Sequence, residues 1–61
     1  MLPSDFPSDP FMLMSFVNMK LRDEFPSLDE LCAYYGVERA EIEVPLWGAG
    51  FEYSAENKKF W

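Results

Sequence analysis

Apolar and polar positions fall into four successive patterns along the chain. From Pro10 to Glu24 the apolar residues recur at helical spacing, with Leu13, Val17 and Leu21 four apart, Met12 before them and Met14 and Phe16 between them. Asp9 suits an N-cap and Pro10 suits a first helical position, while Pro26 stops the run because the residue before a proline avoids helical angles. Ser27-Leu28-Asp29-Glu30 reads as a capping box, in which Ser27 and Glu30 each bond the other's backbone N–H. Behind it Leu28, Leu31, Cys32 and Tyr35 fall at i, i+3, i+4 and i+7, so a second helix is predicted over residues 28–35, closed by Gly36 as a left-handed cap. The third segment is ambiguous. Ala40 to Leu46 alternates as a strand would, yet Ile42, Leu46 and Ala49 also share one helical face, and Pro45 costs a helix interior about 3 kcal/mol. The fourth reads as a β-hairpin: Phe51-Glu52-Tyr53, a turn over Ser54-Ala55-Glu56-Asn57 with Asn57 suited to a left-handed angle, and a return over Lys58-Lys59-Phe60-Trp61.

An isolated two-stranded hairpin is marginal in water, so its aromatic side chains must pack on the helices. The predicted architecture is therefore α+β: a small three-helix core, helix-turn-helix-like in order, closed by a C-terminal β-hairpin. It forms a single small domain over residues 10–61, preceded by an N-terminal arm over residues 1–9. In that arm Pro3-Ser4-Asp5-Phe6 is echoed by Pro7-Ser8-Asp9-Pro10, too short to be a structural repeat, and Phe6 is placed to dock on the core and tie the arm down. The predicted core comprises Leu13, Val17, Leu21, Leu28, Leu31, Cys32, Tyr35, Val37, Ile42, Leu46, Phe51 and Phe60. Trp47 and Trp61 are expected to fill core volume, and Lys58 and Lys59 to solubilise an exposed edge strand.

The runs Asp9 to Ser15, Asn18 to Asp23, Ser27 to Cys32 and Gly50-Phe51-Glu52-Tyr53, taken in that order, resemble a family of short bacterial proteins known as domain of unknown function 4250. The resemblance covers Asp9 to Trp61. It implies a helix between Gly36 and the Gly-Phe-Glu-Tyr motif, from which Pro45 and Trp47 depart, and it implies no activity. The echo around Phe6 to Asp9 looks like an addition to the usual start.

Length changes the picture of the first helix. A chain of 61 residues buries only ~60% of the surface its unfolded form exposes. Yet Met12, Leu13, Met14, Phe16, Val17 and Leu21 cover about 200° of that helix, where an ordinary surface helix needs a stripe about half as wide. Lys20 lies inside the arc and can snorkel, and Ser15, Asn18 and Arg22 form a narrow polar stripe. Either the helix is central and wrapped by the rest, or part of the arc meets another chain. Met12, Met14, Phe16 and Met19 are the candidate interface residues, and a homodimer through this helix is the corresponding expectation.

Charge and cysteine content narrow the chemistry. Eleven acidic and five basic residues give a net charge of −6, which repels phosphate backbones and anionic lipid heads, so neither nucleic acid nor membrane is an expected partner. A winged helix-turn-helix reading would put Lys58 and Lys59 on the wing, but the would-be recognition helix offers Arg39 against Glu41 and Glu43. The chain has one cysteine and no histidine. That excludes an intrachain disulfide, removes the base a catalytic cysteine requires, and leaves no usual zinc ligand set. Cys32 on the apolar face of the second helix is expected to be core. No catalytic residue, cofactor or metal is predicted. A lone cysteine, together with an N-terminal stretch lacking Lys and Arg, points to a cytoplasmic protein without a signal peptide. The expected function is a non-enzymatic protein–protein interaction module, with a nucleic-acid-binding winged helix-turn-helix as the alternative.

Overall fold

The computed structural model describes residues 2–61 and runs α1 (Pro10–Asp23), α2 (Leu28–Tyr35), α3 (Arg39–Gly48), β1 (Tyr53–Ser54) and β2 (Lys59–Phe60). It is the α+β arrangement predicted, three helices closed by a two-stranded antiparallel hairpin in which Tyr53 pairs with Phe60 and Ser54 with Lys59. Local chemistry sets the helix ends. The Asp9 carboxylate accepts from the Met12 N–H at 3.1 Å, and Ser27 Oγ accepts from the Glu30 N–H at 3.2 Å. Only that half of the box at Ser27 forms, since the Glu30 carboxylate is not bonded back. Gly36 ends α2 at φ 68°, the left-handed angle at which a Cβ is disfavoured.

The third segment resolves as a helix. Its first turn is closed by the Glu41 carboxylate, which accepts from the Glu38 N–H at 2.9 Å. Pro45 sits inside α3 and removes the hydrogen bond that the Glu41 carbonyl would otherwise receive. The helix persists because Ile42 and Leu46, one turn apart, are completely buried, and each such burial contributes roughly 1.5–3 kcal/mol. Tertiary burial thus outweighs a local penalty. Replacing Pro45 with alanine should stabilise the fold by about 2 kcal/mol, the ~3 kcal/mol helix penalty less the ~0.4–1 kcal/mol by which proline restricts the unfolded chain. Urea denaturation reads this as a raised midpoint at unchanged slope.

The core joins Leu13, Val17 and Leu21 of α1, Leu28, Leu31 and Cys32 of α2, Val37, Ile42 and Leu46, and Phe60 of β2. Phe6 completes it from the arm, with its ring centroid 4.9 Å from that of Phe16 and 5.0 Å from that of Tyr35. The other flank of α1 is covered by the hairpin. Asn18 Oδ1 accepts from the Phe60 N–H at 2.8 Å, and Asn18 Nδ2 donates to the Phe60 carbonyl at 3.0 Å. The wide apolar arc of α1 is therefore largely wrapped, by the arm on one side and β2 on the other.

Four sequence expectations are corrected. Tyr35 and Phe51 are half-buried partners of the core rather than members of it. Trp47 and Trp61 are 69% and 62% exposed and fill no core volume. The left-handed turn residue is Lys58, at φ 55°, not Asn57, which instead donates through its backbone and side chain to Ser54 Oγ. The strand edge guarded near Lys58 and Lys59 is not open at Phe60, because the Asn18 amide occupies it.

Candidate functional site

The chemistry expected along the first helix divides in two. Phe16 and Met14 are half-buried against the core, Phe16 under the Phe6 ring, and Lys20 lies over the outer side of Phe16 with Nζ 5.6 Å from its centroid. Met12 and Met19 remain exposed, two turns apart on one stripe. The four candidate interface residues therefore do not form one continuous free surface.

A second apolar surface lies between α3 and the hairpin. The helical wheel explains it. With Ile42 and Leu46 facing the core, 100° per residue carries Ala40, Val44 and Trp47 to the opposite side. Val44 is 59% exposed. The chain turns back at Gly50, where Phe51 N–H donates to the Leu46 carbonyl at 2.9 Å, and the hairpin then runs alongside the helix. The result is a groove of about 390 Å³ walled by Val44 and Trp47 on one side and Phe51, Glu52 and Tyr53 on the other. Phe11 extends the apolar surface from α1, its ring edge-on to Phe51 with centroids 5.4 Å apart.

Arg39 anchors one end of the groove. Its Nη1 donates to Asp29 of α2 at 3.2 Å, its Nη2 to Glu43 at 3.0 Å, and its guanidinium carbon lies 5.5 Å from the Tyr53 ring centroid. Burial works against the Arg39 charge, but the hydrogen bonds it donates to Glu43 and Asp29, with the attraction of those carboxylates, outweigh it and hold the group above its ordinary pKa. One side chain thus ties together α2, α3 and the hairpin. The Tyr53 hydroxyl in turn accepts from the Leu28 N–H at 3.4 Å, at the start of α2. Arg39, offered by the sequence as a nucleic-acid contact, has both terminal nitrogens engaged by carboxylates. The groove keeps a negative rim, because Glu52 is exposed and forms no ion pair among the described residues.

Cys32 is buried, and burial raises its thiol pKa in spite of the nearby Arg39 charge. A thiol whose folded pKa lies above its unfolded value of about 8.5 contributes stability below that pH and loses it as pH rises through the folded value. Stability should accordingly fall on the alkaline side of about pH 8.5, and Cys32→Ala should flatten that limb in urea titrations taken at successive pH values. Among the described residues no group of three or more His, Cys, Asp and Glu side chains could hold a metal ion. Among them, too, no helix is long and apolar enough to cross a membrane.

Sequence reasoning missed Val44, Trp47 and the clamp at Asn18. The first two were within reach, since placing Ile42 and Leu46 on the core face of a helix puts both on the outside. Asn18 carried no local signal, because its partner lies 42 positions away.

Fold and surface together define a small α+β domain that carries an aromatic groove between its last helix and its hairpin. The chain belongs to the family Domain of unknown function (DUF4250), which it matches over residues 7–60. No curated protein and no solved structure matches it.

Proposed function

We propose that the protein is a non-enzymatic protein–protein interaction module whose partner docks on the groove between α3 and the hairpin. The observation that carries this reading is the exposure of Trp47, 69%, beside exposed Val44 and half-buried Phe51. A domain this short has little apolar material to spare, and large aromatic side chains left together on a surface are the residues that dominate interface energetics. The absence of histidine from the sequence and the burial of its one cysteine support a role without covalent or acid–base chemistry.

The test is site-specific photocrosslinking in the native cell, with p-benzoylphenylalanine in place of Val44 and, as control, of exposed Glu30 on α2. A discrete partner should be captured from position 44 and not from position 30. After identification and purification, that partner should bind the free protein. Trp47→Ser should then weaken binding by about tenfold to a hundredfold, the range of one hot-spot aromatic, while leaving the denaturation midpoint unchanged. Equal capture from both positions, or undiminished binding by Trp47→Ser, would refute the assignment.

Self-association through α1 is a second reading of the same class, favoured by the exposure of Met12, 62%, and Met19, 41%. Sedimentation equilibrium of Met12→Glu separates the two, because that change leaves the groove intact. Met14→Glu would not serve, since Met14 packs against the core. Nucleic acid is disfavoured by the net charge of −6 and the engagement of Arg39, and a mobility-shift assay at low salt tests it directly.

A further inference from the structure

The two edges of the hairpin are not equivalent. The Trp61 N–H donates to the Glu52 carbonyl at 3.1 Å, so Glu52 and Trp61 form a hydrogen-bonded pair of the antiparallel ladder. The adjoining pair, Tyr53 with Phe60, is then a non-hydrogen-bonded one, whose N–H and C=O groups point outward on both strands. On β2 those outward groups are taken up by Asn18, which bonds both. On β1 the corresponding N–H and C=O of Tyr53 have no partner among the described residues, and Tyr53 lies in the wall of the groove opposite α3. The molecule has sealed one strand edge with a side-chain amide and left the other open beside an apolar trough.

Resting on the interaction-module reading above, we propose that the β1 edge receives an extended strand from a partner protein, laid in the groove between β1 and α3, in which apolar and cationic residues alternate. Backbone pairing at Tyr53 supplies the register. The residue directly opposite Tyr53 exchanges both hydrogen bonds with it and projects its side chain on the same face. There it meets Phe51, Val44 and Trp47, so it is apolar. Its neighbours project on the other face beside Glu52, which makes Lys or Arg the complementary choice. The net charge of −6 adds to that preference. A second copy of the same chain would bring Glu52 and six net negative charges against their like, which favours a different and basic partner.

The experiment uses the full chain, labelled with 15N, and three synthetic probes. The first is acetyl-Gly-Lys-Val-Lys-Val-Lys-Gly-amide. The second has both valine nitrogens methylated, and the third has glutamate for every lysine. The first should shift the amide signals of Glu52, Tyr53 and Ser54 and the Trp47 indole, and should slow hydrogen exchange at the Tyr53 N–H. N-methylation should weaken binding by about tenfold or more, because it removes the strand bonds without removing the side chains. The acidic probe should bind more weakly than the first at low salt, and Glu52→Lys should reverse that order. If the methylated probe binds as well as the first, the groove takes peptides but not as a strand, which overturns this inference and leaves the module reading standing. If no probe binds while Trp47→Ser still releases the crosslinked partner, this inference alone falls. If Trp47→Ser changes nothing either, both fall. A concentration-dependent dimer that already protects the Tyr53 N–H would assign the edge to a second copy and overturn the proposal.

Discussion

Phe6→Ala is expected to destabilise the protein by about 3 kcal/mol, the low end of the cost of truncating a buried phenylalanine. The ring is only 7% exposed, makes two aromatic contacts and shields Phe16 from water. A domain of this size has a total stability of about 3–9 kcal/mol at ~0.05–0.15 kcal/mol per residue, so the loss is a third of the total or more. The expectation has a specific point. Phe6 lies outside the stretch matched to the family, residues 7–60, yet it is one of the core residues. Removal of residues 1–8 should cost at least as much as Phe6→Ala, because Leu2 of the same arm also packs against the core. Urea denaturation of the two variants side by side checks this. A cost below about 1 kcal/mol for Phe6→Ala, the scale of an ordinary surface change, would mean that the arm does not dock.

Asn18→Ala is the second large effect, with an expected loss of about 2–3 kcal/mol. It strips partners from both the N–H and the C=O of Phe60, in a part-buried position where an unsatisfied group costs about 1–3 kcal/mol. The loss should concentrate in the hairpin, so hydrogen exchange at the Phe60 N–H should accelerate more than exchange in α2. Asn18→Asp gives an internal control. Its carboxylate still accepts from the Phe60 N–H but repels the Phe60 carbonyl, and protonation restores a donor. The variant should therefore recover stability relative to the wild type as pH falls through about 4. Uniform acceleration of exchange across the domain, with no recovery in Asn18→Asp, would show that the residue acts by packing and not by pairing.

The legible and illegible parts of this chain separate by the distance over which their causes act. The boundaries of α1 and α2 could be read because their signals are three or four residues wide: Asp9 before Pro10, Ser27 bonding Glu30, Gly36 after Tyr35. The hairpin could be read from alternation, although which turn residue adopts φ > 0 could not, since Asn57 found a better use in bonding Ser54 and passed the left-handed angle to Lys58. The exposure of Trp47 and Trp61 was derivable but underived. Each lies opposite a core residue, Trp47 across the wheel from Ile42 and Leu46, and Trp61 next to Phe60 on a strand of period two. Large aromatic residues default to the interior only when their element turns them that way.

By itself the sequence determined that this is a small α+β domain with two capped helices and a terminal hairpin, and that its 61 residues hold neither an intrachain disulfide nor a histidine-based site. Those outcomes follow from local capping, periodicity and composition, which need no neighbours in space. Only the tertiary structure decided that the third segment is a helix in spite of Pro45, since the burial of Ile42 and Leu46 outweighs the missing hydrogen bond. It alone decided that Phe6 and Asn18 close the two flanks of α1, and that one strand edge is sealed and the other open. Each of these depends on groups far apart in sequence meeting at a particular distance, and no pattern along a chain encodes that distance until the core has formed.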